Sequence, residues 1–181
     1  DGIKILGKNC FQSKNITNII LPKTLEEIEG YAFIYTKLEK LSLSENIQKL
    51  DTMFLYGSNI TKLTINENNP NYTVEDDILY NKNKTELILP IKPLGTITEF
   101  QIPNGVSNAF LHQGKMTKII IPGTVKEIGQ NAFDKCSSLT NIEIPSSVEK
   151  IGEGCFNSCE NLSEIRINKE KGSIAGSPWG A

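Results

Sequence analysis

Four cysteines and one histidine are the residues of this chain best suited to hold a metal or attack an electrophile. A thiolate does either once a base, a cation or the metal lowers its pKa. The spacing favours neither use. Cys10, Cys136, Cys155 and Cys159 contain no Cys-x-x-Cys, and His112 pairs with none, so no zinc site is expected. Asp76-Asp77 offers carboxylates to calcium, but no Asp-x-Asp-x-Asp-Gly ladder surrounds it. Gly-x-Ser-x-Gly, His-Glu-x-x-His and phosphate-cradling glycine loops are absent. We expect no catalytic residue, no cofactor and no metal, and hence no enzyme.

The cysteines make sense as columns of a repeat. Residues 116–138 and 139–161 match over 23 columns. Ile119 falls on Ile142, Ile121 on Ile144, Pro122 on Pro145 and Val125 on Val148. Ile128-Gly129 falls on Ile151-Gly152, Phe133 on Phe156 and Cys136 on Cys159. Cys10 and Cys155 share the column of Ala32, Ala132 and Ala109, as small buried apolar groups would. A Cys136–Cys159 bridge across one repeat step stays open if the Cα atoms lie within about 7 Å. A fixed period of this length predicts a solenoid, each turn covering the apolar side of its neighbour.

Looser copies precede these two. Residues 1–15 carry Ile3, Leu6-Gly7 and Cys10-Phe11, the second half of a turn; the chain therefore reads as a piece of a longer protein. Residues 16–37 supply Ile19, Leu21, Pro22, Leu25, Ile28 and Ala32-Phe33. Residues 38–59 supply Leu41, Leu43, Ile47, Leu50 and Met53-Phe54, one residue short before that pair. After the strand at 60–65 the pattern breaks. Two β-prone runs, 73–80 and 85–89, flank a polar Asn81-Lys-Asn-Lys84 and predict a hairpin. The second run also fits the strand column, with Leu87, Leu89 and Pro90. Residues 97–115 form a truncated turn, with Phe100, Ile102, Pro103, Val106 and an early Ala109-Phe110. Residues 162–167 are a last strand.

Within a turn, Ile142 and Ile144 alternate with Asn141 and Glu143, giving a strand with one buried side. Proline ends the ladder, Val148 and Ile151 turn the chain back, and Gly129 and Gly152 suit a positive φ. The Phe column closes the far side in a short helical or irregular segment. A net charge of −2, with no basic run, makes nucleic acid or an anionic membrane a poor partner. No apolar stretch spans a bilayer and residues 1–4 carry no signal-peptide pattern.

The pattern Leu-x-x-Ile-x-Ile-Pro-x-x-Val-x-x-Ile-Gly-x-x-Ala-Phe-x-x-Cys resembles the BspA-type leucine-rich repeat. Residues 116–161 carry it fully and residues 16–59 more loosely, while 69–88 resemble the hairpin insertion of such arrays. The resemblance implies an α/β solenoid: a right-handed array of seven to eight turns over residues 1–168, irregular at 66–115. It implies short parallel strands on a concave face and an irregular or short helical convex side, with residues 169–181 a flexible tail or expression remnant. It also implies a secreted or surface-anchored protein that adheres to host or microbial proteins.

The solvent-facing strand positions form two rows. One holds Asn18, Lys40, Lys62, Glu86, Glu99, Lys118, Asn141 and Glu164. The other holds Ile20, Ser42, Thr64, Ile88, Gln101, Ile120, Glu143 and Arg166. The concave sheet is the expected protein-binding face, with no nucleic-acid partner and no membrane insertion. A spacer or stalk, or an accessory domain of a secreted hydrolase, is the competing reading. Exposed Ile20, Ile88 and Ile120 argue mildly against a spacer. Asn15, Asn59, Asn71, Asn83 and Asn161 each open an Asn-x-Ser/Thr sequon, which a eukaryotic secretory source would glycosylate and an Asn-rich bacterial sequence produces by chance.

Overall fold

Asn141-Ile142-Glu143-Ile144 is a strand in the computed structural model of the chain, with the two isoleucines buried and the polar pair exposed. The structure describes residues 2–13, 15–91, 99–103, 116–168 and the backbone of 108–109. His112, Val106, Phe110 and the tail at 169–181 lie outside them. The chain divides into two compact units, Asp1–Asn83 with Pro90–Pro93 and Lys84–Leu89 with Leu94–Ala181.

In the first unit β1 (Ile5–Leu6), β2 (Glu27–Ile28) and β4 (Lys49–Leu50) form one parallel ladder. β3 (Lys40–Leu43) and β5 (Lys62–Ile65) form another, with Leu41 against Leu63. Then β6 (Tyr72–Glu75) and β7 (Ile78–Asn81) make an antiparallel hairpin. In the second unit β8 (Glu86–Pro90), β10 (Asn108–Ala109), β12 (Glu127–Ile128) and β14 (Lys150–Ile151) are joined in that order by parallel pairing. β9 (Glu99–Gln101) pairs with β11 (Lys118–Ile120), and β13 (Asn141–Ile144) pairs with β15 (Glu164–Ile167). Regular turns thus carry two strands, as β3 with β4, β11 with β12 and β13 with β14. The segment with Val148 and Ile151, expected only to turn the chain back, contributes the second.

The core is the stack of columns seen in the sequence. Ile128, Ile151, Phe133, Phe156, Val125 and Val148 are all fully buried, and Phe133 stacks on Phe156 at 5.4 Å between centroids. Phe11 stacks on Phe33 likewise at 5.5 Å. Burying one such side chain contributes about 1.5–3 kcal/mol, so stability accumulates column by column.

The third side of each turn is not helical; no helix occurs among the described residues, which corrects the α/β expectation. The cause is where the amides point. Asn131, Phe133 and Lys135 donate to Glu153, Cys155 and Asn157 of the following turn, at 3.0, 2.9 and 2.8 Å. Ala132, Asp134 and Cys136 donate instead to Gly129, Asn131 and Phe133, three residues back. Half the N–H groups are therefore spent laterally, and an α-helix needs all of them within its own segment. Left-handed residues enforce this path: Tyr31 and Tyr35 at φ 60° and 57°, Asn131 and Lys135 at 55° and 59°.

The same bonds re-register one turn. Phe33 donates to the Phe54 carbonyl, as Phe133 does to Cys155 and Phe11 to Ala32. Phe54 therefore occupies the Ala32 column, not that of Phe33, and Leu55 follows it. With that register no residue is missing: Leu50 to Phe54 spans the same four steps as Ile28 to Ala32, Met53 stands opposite Tyr31 without its positive φ, and Gly57 at φ 66° matches Tyr35.

Other expectations also move. A tight hairpin turn falls inside the first expected run, at Asp76-Asp77, because both aspartates are left-handed, at φ 50° and 58°, as a two-residue type I′ turn requires. Glu86-Leu87 pairs with Asn108-Ala109, which pairs with Glu127-Ile128. Leu87 and Ala109 thus join the Ile128 column; Leu87 leaves that of Ile119, and Ala109 that of Ala132. β8 begins no turn of its own, which lowers the count of turns. Neither Gly129 nor Gly152 has a positive φ; Gly152 is required for space.

Candidate functional site

Alternation places the outward residues of β3, β5, β9, β11, β13 and β15 in solvent. In the first unit Asn18, Lys40, Ser42, Lys62 and Thr64 are exposed, and Ile20 is 89% exposed. Residues 18–21 form no ladder, but the chain just after them is tied to the next turn, the Ser44 hydroxyl and the Asn46 amide both donating to the Lys23 carbonyl. Ser42 and Thr64 share a hydroxyl hydrogen bond of 2.9 Å.

In the second unit Glu99, Gln101, Lys118, Ile120, Asn141, Glu143, Glu164 and Arg166 are exposed. Lys118 pairs with Glu99 at 3.4 Å and Arg166 with Glu164 at 3.0 Å, while the Asn168 amide donates to Glu143. β9–β11 and β13–β15 are separate two-stranded ladders. Between β11 and β13 the face opens into a depression of about 370 Å³ lined by Lys118, Ile119, Ile120, Ile121, Asn141, Ile142, Glu143 and Pro145. Ile120 is 40% exposed there. A smaller one of about 80 Å³ lies among Asn141, Ile142, Glu143, Glu164 and Arg166.

Two members of the expected rows leave the surface. Ile88 is 4% exposed, because β8 is covered on both sides, with Leu87 and Leu89 at 0% and 6%. Alternation cannot assign an outward side on such a strand. Its neighbour Glu86 is half-buried, and desolvation, then repulsion from Glu127, pushes its carboxyl above the usual range. A folded-state pKa above the unfolded value means that ionisation opposes folding, so this contribution worsens as pH rises past about 4.3. Glu86→Gln should therefore raise stability by less than about 1 kcal/mol at pH 7, since solvent screens a half-exposed carboxylate. The gain should vanish near pH 3; urea unfolding at the two pH values checks this, and a loss at pH 7 would refute it.

Only the inner thiols are packing groups, since Cys10, expected to be buried in the Ala32 column, is exposed and Cys159 is half-buried. All four cysteines are free; Cys136 and Cys155 are fully buried, and burial pushes the Cys155 thiol far up. Cys159 Sγ–H donates to the Phe133 carbonyl at 3.1 Å. Among the described residues no group of three His, Cys, Asp or Glu could hold a metal, and Asp76-Asp77 forms the hairpin turn.

Three of the five sequons, at Asn59, Asn71 and Asn161, have a structural use. Asn161 Nδ2 donates to the Ser137 carbonyl at 2.6 Å, and Ser163 and Thr61 hydroxyls donate to Thr140 and Glu39 carbonyls at 3.1 and 3.2 Å. Asn71 Nδ2 donates to the Ile47 carbonyl at 3.1 Å.

The sequence alternation did not reveal Asn69, a fully buried polar side chain where the hairpin begins. Nor did it reveal Tyr72, whose hydroxyl accepts from the Leu50 amide at 3.0 Å and donates to the Gln48 carbonyl at 3.3 Å. Tyr72 thereby closes the outer edge of β4. The signal available was Asn-Pro-Asn-Tyr itself, a polar break directly after a strand.

A model of the BspA type leucine rich repeat region matches residues 4–101 and 104–177 in six copies. The chain belongs to this family. Its six copies replace the seven to eight turns expected. A leucine-rich repeat protein of Eubacterium ventriosum superposes with a TM-score of 0.69 at 27% identity, covering 83% of this chain and 41% of that one. A leucine rich cell surface protein of Faecalibacterium prausnitzii gives 0.54 at 20% identity, over 96% and 59%. The pneumococcal vaccine antigen PcpA gives 0.52 at 16% identity, over 84% and 53%. The last two share the fold alone, and the chain spans less than two thirds of all three. No curated protein matches. Among the described residues of this BspA-type chain, no helix is long and apolar enough to cross a membrane.

Proposed function

We propose that this BspA-type repeat chain is a non-enzymatic, extracellular protein-binding module of a surface protein. The outward face of β9, β11, β13 and β15 would serve as the contact surface. The observation that carries the reading is the depression between β11 and β13, with partly exposed Ile120 among Lys118, Asn141 and Glu143. An apolar centre inside a charged rim is the anatomy of a protein contact. A pure spacer needs no such centre. The names of the cell surface protein and the vaccine antigen among the solved relatives accord with a surface location.

The test is capture of host or microbial surface proteins by the immobilised chain, wild type against Ile120→Glu. Partner retention should fall about 10- to 100-fold in the variant, as for a central contact residue. Equal retention would remove the depression from the interface, and no retention by wild type would favour the spacer.

A further inference from the structure

We infer that Lys40 and Lys62 in the first unit form a docking site for an acidic polypeptide segment. The inference rests on reading the strand faces as protein contacts, but it concerns a different surface from the depression at Ile120.

The argument starts from how this chain treats cations on its strands. Among the described strands, Lys49 pairs with Glu27, Lys118 with Glu99, Lys150 with Glu127 and Arg166 with Glu164. Each pair leaves a local charge near zero. Lys40 and Lys62 break the rule. They stand directly opposite one another on β3 and β5, both exposed. No carboxylate of the described residues lies within ion-pair distance of either. Like charges on facing positions oppose pairing of their strands, so the arrangement costs stability that a single Lys→Glu change would recover.

The surroundings say what would fit. The next outward pair on the same strands is Ser42 and Thr64, already hydrogen-bonded to each other. One turn earlier Ile20 stands 89% in solvent. Two cations, two hydroxyls and an aliphatic side chain complement an extended segment that alternates carboxylates with aliphatic residues. A sulfated polysaccharide needs a longer run of cations and gains nothing from Ile20.

The test uses a labelled peptide of alternating Glu and Val, read by fluorescence anisotropy on the whole chain at low and high salt. Binding at low salt that weakens at high salt supports the site. Lys40→Gln with Lys62→Gln should weaken it at least about tenfold, and a Gln-Val peptide should not bind. Lys62→Glu alone should weaken binding yet raise Tm by about 1–3 °C, since it creates the cross-strand pair found elsewhere. Ile120→Glu should leave peptide binding unchanged. Equal binding by the double Gln variant, a lowered or unchanged Tm in Lys62→Glu, or preference for a heparin oligosaccharide would each overturn the site. If Ile120→Glu abolishes peptide binding, the peptide sits in the depression and the lysine site is refuted. If Ile120→Glu leaves protein capture intact while the lysine variants lose the peptide, only the depression reading fails.

Discussion

Gly152→Ala should lower the stability of the chain by about 3 kcal/mol or more, measured by urea unfolding with far-UV circular dichroism. The reason is distance alone. A Cβ on Gly152 would lie 2.3 Å from the Gln130 amide nitrogen, 2.5 Å from the Gly129 carbonyl carbon and 2.6 Å from Gln130 Cα. All three are backbone atoms of the preceding turn, so no side chain can rotate away. Gly152 also donates to the Ile128 carbonyl at 2.8 Å, which fixes the approach. Relief requires β12 and β14 to separate, and that would loosen Ile128 against Ile151 and Phe133 against Phe156. Overpacking in a core costs about 1–3 kcal/mol and more where the backbone itself is struck. Gly123→Ala is the internal control: nothing lies within 4 Å of its Cβ site, and the change should be neutral or slightly stabilising. If Gly152→Ala unfolds within about 0.5 kcal/mol of wild type, the close stacking of these turns is wrong.

That contact shows what a single sequence does and does not disclose. The recurrence of Ile151-Gly152 over Ile128-Gly129 was plain, and so was the register of Ile119, Ile142 and Phe133, because apolar columns repeat at a fixed stride. The reason for glycine was not. A glycine needed for a positive φ and one needed for room look alike in sequence. The third side was misread for a related cause. Segments such as Gly129–Cys136 have bonds three residues apart and would pass for a short helix, but alternate amides reach the next turn, and lateral bonding leaves no local trace. Phe54 shows the same limit: matching it to the Phe column suggests a missing residue, while the Phe33 bond shows a full-length segment with Phe in the column of Ala32.

The candidate face was legible where strands have one wet side. Lys40, Lys62, Lys118, Ile120 and Glu143 all stand outward, as alternation requires. It failed at β8, where Leu87, Ile88 and Leu89 are all buried and period two carries no information. The depression between β11 and β13 had no signature at all, since it depends on which strands share a ladder.

Asn69→Ala should cost about 2–4 kcal/mol and release the hairpin from the turn before it. The side chain is fully buried and spends every polar group. Its Nδ2 faces the carbonyls of Ser44, Glu45 and Ile47 at 3.2, 3.2 and 2.9 Å. Its Oδ1 accepts from the amides of Asn71 and Tyr72, both at 2.8 Å. Alanine would strand two amides and leave three carbonyls without this donor, and each buried polar group left unpaired costs about 1–3 kcal/mol. Partial relief by water and by Asn71 Nδ2, which also reaches Ile47, sets the total below the simple sum. Asn69→Asp is the sharper variant. It keeps the shape and the two accepted bonds but replaces a donor with a carboxylate facing three carbonyls. Buried there, the carboxyl should titrate above its ordinary value, so the deficit against wild type should be smaller near pH 3, where the acid is protonated, and grow toward pH 7. Loss should also reach beyond the hairpin, because Tyr72 is placed by Asn69 and its hydroxyl satisfies the β4 edge. Amide exchange at Leu50 should quicken in both variants, and a wild-type exchange rate at Leu50 with either substitution would break the link from Asn69 through Tyr72 to the ladder.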